Sequence, residues 1–241
     1  MNIKRYIKRC FLLFGYLFHR NSLSKIIFYH DVGLLYTDMG TPLHMIDRHI
    51  EEIVKQHFRV VNCISETNNQ IMICFDDGWK GIYEAKEYFI RKKIFPTVFI
   101  AVELIGSEGH LTIEQILELK NSGFLFQAHS WSHNDLTKYN REGLKHELVD
   151  SKKYLEEILG EEIDSLCFPE GRFSNGVIEE AKRAGYLKLF SSISGAYHDR
   201  LADGYICRNL VQDLSSKEVK YVIKGHSSLM YKRNFEQHFQ K

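Results

Sequence analysis

The sequence predicts an α/β protein, a (β/α) barrel of about seven parallel strands in a single domain. Three observations predict it. Short apolar runs alternate with longer amphipathic segments along the chain. The runs are apolar throughout, not at every second residue, as strands covered on both faces are. Finally, the residues able to do chemistry stand just past the ends of several different runs: Asp76-Asp77-Gly78, His129 with His133, and Pro169-Glu170-Gly171. A barrel gathers every strand end at one face, whereas a doubly wound open sheet joins only the strands flanking its switch point.

The elements follow in order. Ile3, Tyr6, Ile7, Cys10, Phe14, Leu17 and Phe18 fall on one helical stripe, with Lys4, Arg5, Lys8 and Arg9 largely off it. Residues 1–23 are therefore expected to form a basic amphipathic helix, and residues 24–241 the barrel domain. The apolar core of that helix is too short to span a bilayer, and no small-residue cleavage site follows before Arg20. It either lies on an anionic membrane surface through residues 1–20 or packs on the outside of the barrel. Lys25–His30 reads as the first strand. Thr41-Pro42 starts a helix running to Phe58. Strands are expected at 59–63, 71–75, 95–101, 124–128, 165–168, 187–192 and 205–211. Helices are expected at 81–93, 112–121, 141–159, 176–184 and 216–223, with Gly123, Gly160 and Gly185 as stops.

Composition narrows the function. Lys+Arg of 32 against Asp+Glu of 31 leaves a formal charge of +1, so no global field recruits nucleic acid, and no basic stretch interleaved with aromatics exists to bind it. Five widely spaced cysteines without a CxxC pair indicate neither a cysteine zinc site nor a disulfide framework, and lean towards a reducing compartment.

Two adjacent carboxylates at the end of an apolar strand are costly unless a cation or donor compensates them. One aspartate with His129 and His133 makes a three-ligand set for Zn²⁺ or a similar divalent ion, with positions left for water and substrate. The spacing of four puts both imidazoles on one side if the local backbone makes a helical turn. The other carboxylate is then free to take a proton from an activated water. That combination hydrolyses an ester or amide through a tetrahedral intermediate. Alone, Asp-Asp-Gly reads as a solvated turn and His-x-x-x-His as a helix-surface pair.

Phe75-Asp76-Asp77-Gly78 together with His129-Ser130-Trp131-Ser132-His133 resembles the polysaccharide deacetylase superfamily, carbohydrate esterase family four. Tyr29-His30-Asp31-Val32 resembles the first strand end of many bacterial members, and Phe168-Pro169-Glu170-Gly171 matches the third motif in position, so the resemblance spans about Lys25 to Val211. It implies a distorted (β/α) barrel, Asp76 as general base, and Asp77, His129 and His133 as ligands. The implied cofactor is a divalent metal, Zn²⁺ first, with Co²⁺, Ni²⁺ or Mn²⁺ as alternatives, and acetate is the product.

This chain departs from the pattern in places. Cys167 occupies the position of the arginine that holds the base, and Arg208, at the end of the last strand, is expected to replace it in preference to Arg172. His226 is expected as the general acid, although Lys224 stands where a leucine is usual; His198 is the rival. His30, Trp131, Pro169, Glu170 and Gly171 are expected to line the substrate pocket. His30 reads equally as a hydrogen-bonded core residue, and Trp131 as packing behind the ligands. A backbone N–H near Glu170 is the expected oxyanion donor.

The expected substrate is an N-acetylated glycan or lipid-linked sugar. Alternatives are an O-acetyl esterase, a cyclic-amide hydrolase, or a catalytically impaired glycan-binding homologue. The cytoplasmic face of the inner membrane is the expected location, and a signal-anchored barrel outside the membrane is the alternative.

Overall fold

The computed structural model describes residues 3–18, 20–225 and 231–240. Eight strands form one sheet: β1 (Lys25–Tyr29), β2 (Arg59–Val61), β3 (Gln70–Phe75), β4 (Thr97–Ile100), β5 (Leu125–Ala128), β6 (Ser165–Cys167), β7 (Lys188–Phe190) and β8 (Asn209–Leu210). Seven follow the order β8-β1-β3-β4-β5-β6-β7, with every pairing parallel. The eighth, β2, pairs with the start of β3 (Arg59 opposite Gln70), while β4 pairs with its end (Phe75 opposite Val98). The sheet curls until its ends meet. Ile206, just before β8, forms a parallel bridge to Phe190, donating to Leu189 O at 2.7 Å and accepting from Ser191 N at 2.9 Å. The seam is short, and the expected strand over 205–211 ladders with β1 only at Asn209 and Leu210.

The unbroken apolar runs follow from this geometry. Successive strand side chains point to opposite faces. Ile71, Ile73 and Phe75 enter the core shared with the helices, while Met72 and Cys74 join Ile26, Phe28, Phe99, Cys167, Phe190 and Ile206 in the barrel interior. Both faces exclude water, so both parities of the sequence are apolar.

Helices α1 (Ile3–Phe18), α2 (Leu43–Lys55), α3 (Gly81–Glu84), α4 (Lys86–Lys92) and α5 (Ile113–Asn121) come first in the chain. Then α6 joins Arg141–Lys145 to Ser151–Leu159 through a π-turn at His146–Asp150. The others are α7 (Asn175–Arg183), α8 (Ser216–Lys224) and α9 (Tyr231–His238). The helix expected over 81–93 is interrupted at Ala85, which caps α3 and opens α4.

Helix α1 lies on α8, with Leu12 buried and the Tyr16 ring 4.9 Å from that of Tyr221. Its Leu13, Phe14, Leu17 and Phe18 remain exposed. No described helix is long and apolar enough to cross a membrane. Three cysteines (Cys74, Cys167, Cys207) are buried and two (Cys10, Cys63) exposed, all as free thiols.

Candidate active site

The site stands where β3, β5 and β6 end, and Arg208, which comes just before β8 and not at the end of the last strand as expected, reaches it across the barrel. After Phe75, the Asp76 N–H donates to Tyr29 O at 3.0 Å, holding the acidic pair against the end of β1. The chain then turns sharply, with Asp77 at φ 70° and Gly78 at φ 78°. This turn favours glycine at position 78 for its positive φ, and a Cβ there would also press on the Ile100 side chain, 2.7 Å from its Cδ1. Past β5, the His129 N–H donates to Ile100 O at 2.8 Å. The His129–His133 segment is no helical turn. Ser130 and His133 take the left-handed conformation instead, at φ 66° and 63°, and the His133 N–H donates to Ser130 Oγ at 3.2 Å.

That irregular loop nevertheless brings both imidazoles to one point. Asp77 Oδ1 lies 3.0 Å from His133 Nε2 and 3.3 Å from His129 Nε2. The same oxygen is buried and makes no well-directed hydrogen bond. The other oxygen, Oδ2, accepts the Trp79 indole N–H at 3.1 Å. His129 Nδ1 sits 2.7 Å from Cys167 O, which fixes the proton on Nδ1 and leaves the Nε2 lone pair facing Asp77. One carboxylate oxygen and two imidazole nitrogens within 4.8 Å of one another, the oxygen otherwise orphaned, fit a divalent cation of the Zn²⁺ type. Burial disfavours the charged form of Asp77, but the two histidines outweigh it and hold the carboxyl well below its usual range. Burial likewise disfavours protonated His133, and Asp77 overrides it, raising the imidazole. Asp76, His129 and Cys167 also lie within ligand distance of one another. Burial pushes the Cys167 thiol well up, however, so a thiolate ligand is unfavourable there.

Asp76 is clamped from behind. Arg208 Nη1 donates to Oδ1 at 2.7 Å and Nη2 to Oδ2 at 2.8 Å, a paired fork in which neither residue is more than 4% exposed. The guanidinium crosses the barrel interior. Its carbon stands 4.1 Å from the Phe28 ring centroid and 5.3 Å from that of Phe99, Nε donates to Ser191 O at 3.0 Å, and Nη2 lies 2.8 Å from Cys167 Sγ. Burial alone would raise Asp76; the charge and hydrogen bonds of Arg208 reverse that and keep the carboxyl below its ordinary value. Arg208 and Cys167 thus occupy adjoining space, and a thiol leaves room for the guanidinium where the resemblance places an arginine.

The remaining expected residues scatter around this centre. His30 Nδ1 lies 2.6 Å from Gln212 Oε1, half-buried. Pro169–Gly171 form a single 3₁₀ turn, with Glu170 at φ 54°. The Gly171 and Arg172 N–H groups donate to Phe168 O and Pro169 O, both at 3.0 Å, which leaves the Glu170 N–H as the turn's candidate oxyanion donor. Arg172 turns to Asp135 Oδ2 at 3.0 Å and to Glu170, away from Asp76. Trp131 packs outward, its ring 4.6 Å from His146 and 5.8 Å from Tyr154. His198 is far from the site: the neighbouring Tyr197 N–H donates to Ser24 O, at the start of β1, on the opposite end of the barrel. His226 lies outside the described residues.

Three neighbours of the site went unread in the sequence. Trp79 grips Asp77. Glu147, on the π-turn of α6, accepts the Trp131 and Ser132 N–H groups. His238 reaches the motif turn, where a Cβ on Gly171 would come within 2.8 Å of its Nδ1.

Comparisons with known proteins bear on the family and the fold. A family model described as polysaccharide deacetylase matches residues 64–189. The putative polysaccharide deacetylase YxkH of Bacillus subtilis (strain 168) is 29% identical over 128 residues, covering 52% of this chain and 46% of that protein. The peptidoglycan-N-acetylmuramic acid deacetylase PdaA of the same organism is 29% identical over 128 residues, covering 52% and 47%. The chain spans about half the length of the curated relatives it matches. Among solved structures, the Streptococcus pyogenes deacetylase PplD in complex with acetate superposes with a TM-score of 0.73 at 19% identity, over 85% of this chain and 99% of that one. IcaB from Ammonifex degensii gives a TM-score of 0.73 at 19% identity, over 85% and 98%. At such identities the superpositions establish a shared fold.

Proposed function

This chain belongs to the polysaccharide deacetylase family, and from that membership and its site we propose a metal-dependent hydrolase that removes N-acetyl groups from a glycan or lipid-linked sugar. The observation that carries the proposal is the pairing at the end of β3. Asp77 presents an orphaned oxygen to His129 and His133, while its neighbour Asp76 is held ionised by Arg208.

Asp77, His129 and His133 would hold the cation, Zn²⁺ before Co²⁺, Ni²⁺ or Mn²⁺. When bound, such an ion acidifies water and polarises the acyl oxygen. Everything else falls to the chain. Asp76 takes the proton of the attacking water, and Arg208 keeps it ionised and aimed for that task. The Glu170 N–H faces the developing oxyanion. His226 is assigned as proton donor to the departing amine, and His30 and the Pro169–Gly171 turn bound the sugar. Water and the N-acetyl group give acetate and a free amine. The exposed apolar side chains Leu13, Phe14, Leu17 and Phe18 of α1 support peripheral contact of residues 1–20 with an anionic membrane surface; the cytoplasmic face is proposed on the reduced cysteines alone.

The test is D77A. The purified variant should retain its circular dichroism, lose Zn²⁺ binding by calorimetry, and release no acetate from N-acetylglucosamine oligomers. Undiminished acetate release from that variant sinks the proposal, and preference of the unmodified chain for O-acetylated oligomers moves it to ester hydrolysis.

A further inference from the structure

Glu147 is a buried acid that the proposed reaction does not use. It is 2% exposed, and among the described residues no cation pairs with it. An ionised carboxylate in that position is costly unless donors replace its water. Its donors all come from the histidine loop. Oε2 accepts the N–H groups of Trp131 and Ser132, each at 3.0 Å, and Oε1 accepts the Ser132 hydroxyl at 2.7 Å.

Those two peptide groups lie between Ser130 and His133, the residues of the loop at positive φ. For side-chain-bearing residues each such conformation costs about 1 kcal/mol or more, and persists only where the surroundings impose it. The Ser130–His133 hydrogen bond closes the loop on itself, and on one side Val102 N–H donates to Ser130 O at 3.2 Å and Glu103 N–H to Trp131 O at 2.9 Å, which leaves the Trp131 and Ser132 N–H groups to be held from the other side. Glu147 ties its middle to α6. The residue sits in the π-turn His146–Asp150, where the helix widens locally, and Ser151 Oγ bonds to the Glu147 carbonyl at 2.5 Å within the same turn. Such single π-turns break α-helical register and re-aim one side chain.

We propose that Glu147 is a positioning residue for the metal site: through Trp131 and Ser132 it holds the strained loop in the one conformation that points His129 and His133 at Asp77. The inference rests on the metal site proposed above. Groups that orient ligands without touching the ion typically change metal affinity 10–100-fold when removed. Removing Glu147 should therefore weaken Zn²⁺ binding in a chain that is otherwise folded. Glutamine replaces it poorly. Its amide would donate towards Ser132 Oγ, which already accepts from Asn134 N at 3.3 Å and Asn134 Nδ2 at 2.9 Å.

The experiment is Zn²⁺ titration of the full chain against a chromophoric chelator, at a temperature where near-ultraviolet circular dichroism shows each variant folded. E147A should raise the Zn²⁺ Kd about 10–100-fold and E147Q by a smaller factor of roughly 3–10. A residue serving only the fold would lower the melting temperature yet leave the Kd of the folded protein unchanged, and an unchanged Kd in either folded variant overturns the proposal. If the unmodified chain binds no Zn²⁺, the metal reading fails instead, and the two failures are told apart. Should neither variant fold, amide exchange in the unmodified metal-free chain decides. Slowed exchange at Trp131 and Ser132 supports the anchor, and exchange at the free-peptide rate refutes it.

Discussion

Replacing Arg208 with methionine isolates the electrostatics of Asp76. Methionine fills much of the space over Phe28 and Phe99 but leaves Asp76 buried with no cation. Breaking one side of a buried pair typically costs about 3–5 kcal/mol. The variant can limit that cost by protonating Asp76, and the work of doing so is about 1.4 kcal/mol per unit between the pH and an ordinary aspartate value near 3.9. The ceiling is thus about 5.6 kcal/mol at pH 8 and about 1.5 kcal/mol at pH 5. The sign is opposite in the two proteins. In the unmodified chain Asp76 is depressed, so its contribution is present above about pH 4 and lost as pH falls through its folded value. In R208M the carboxyl is raised, so the penalty grows with pH. The stability gap between them should therefore shrink by about 1.5–3.5 kcal/mol from pH 8 to pH 5, which moves the melting-temperature gap by roughly 3–14 °C for a chain of this length. Thermal unfolding in chelator, followed by circular dichroism, reads it directly. D76N/R208M should be more stable than R208M at pH 8. A gap independent of pH, or a double variant no better than the single one, refutes the reasoning.

Two further outcomes are expected. W79F removes the indole N–H from Asp77 Oδ2 and should weaken Zn²⁺ binding about 10-fold by calorimetry, with little change in unfolding temperature; unaltered affinity would show that this hydrogen bond does not orient the ligand. Removing residues 1–20 should release the protein from sedimenting anionic vesicles while acetate release persists; equal sedimentation of the shortened chain excludes this segment as the membrane contact.

The parts of the molecule most visible in the sequence are those where local pattern and global fold agree. Ile71–Phe75 is apolar on both parities because two cores flank it, and Asp76-Asp77-Gly78 betrays itself by placing charge where that run stops. Arg208 was findable as a lone cation inside Ile206-Cys207-Arg208-Asn209, although it comes before β8 and meets Asp76 by crossing the interior. Arg172, the rival, is drawn off by Asp135, a contact that no spacing reveals. Glu147 was hidden because Lys145-His146-Glu147-Leu148 reads as an ordinary solvated helix face. Only the π-turn, set by tertiary packing, turns it inward. His129 and His133 were expected to converge through a helical turn, and they converge through two left-handed residues instead. That the two rings meet at Asp77 was legible there, but the backbone path was not. The break at Ala85 has no local signal either.

The bond between Asp76 and Arg208 joins positions 132 residues apart, and Arg208 belongs to the segment that seals the seam against Phe190. Until that segment docks, the acid has no guanidinium and must stay hydrated, since dehydrating it alone is prohibitive. Wrapping the cylinder and pairing Asp76 with its guanidinium are hence a single event. A nascent chain that has not yet delivered its final strand cannot hold a half-built, partly competent site, and any excised fragment ending before residue 208 should be inert from the outset.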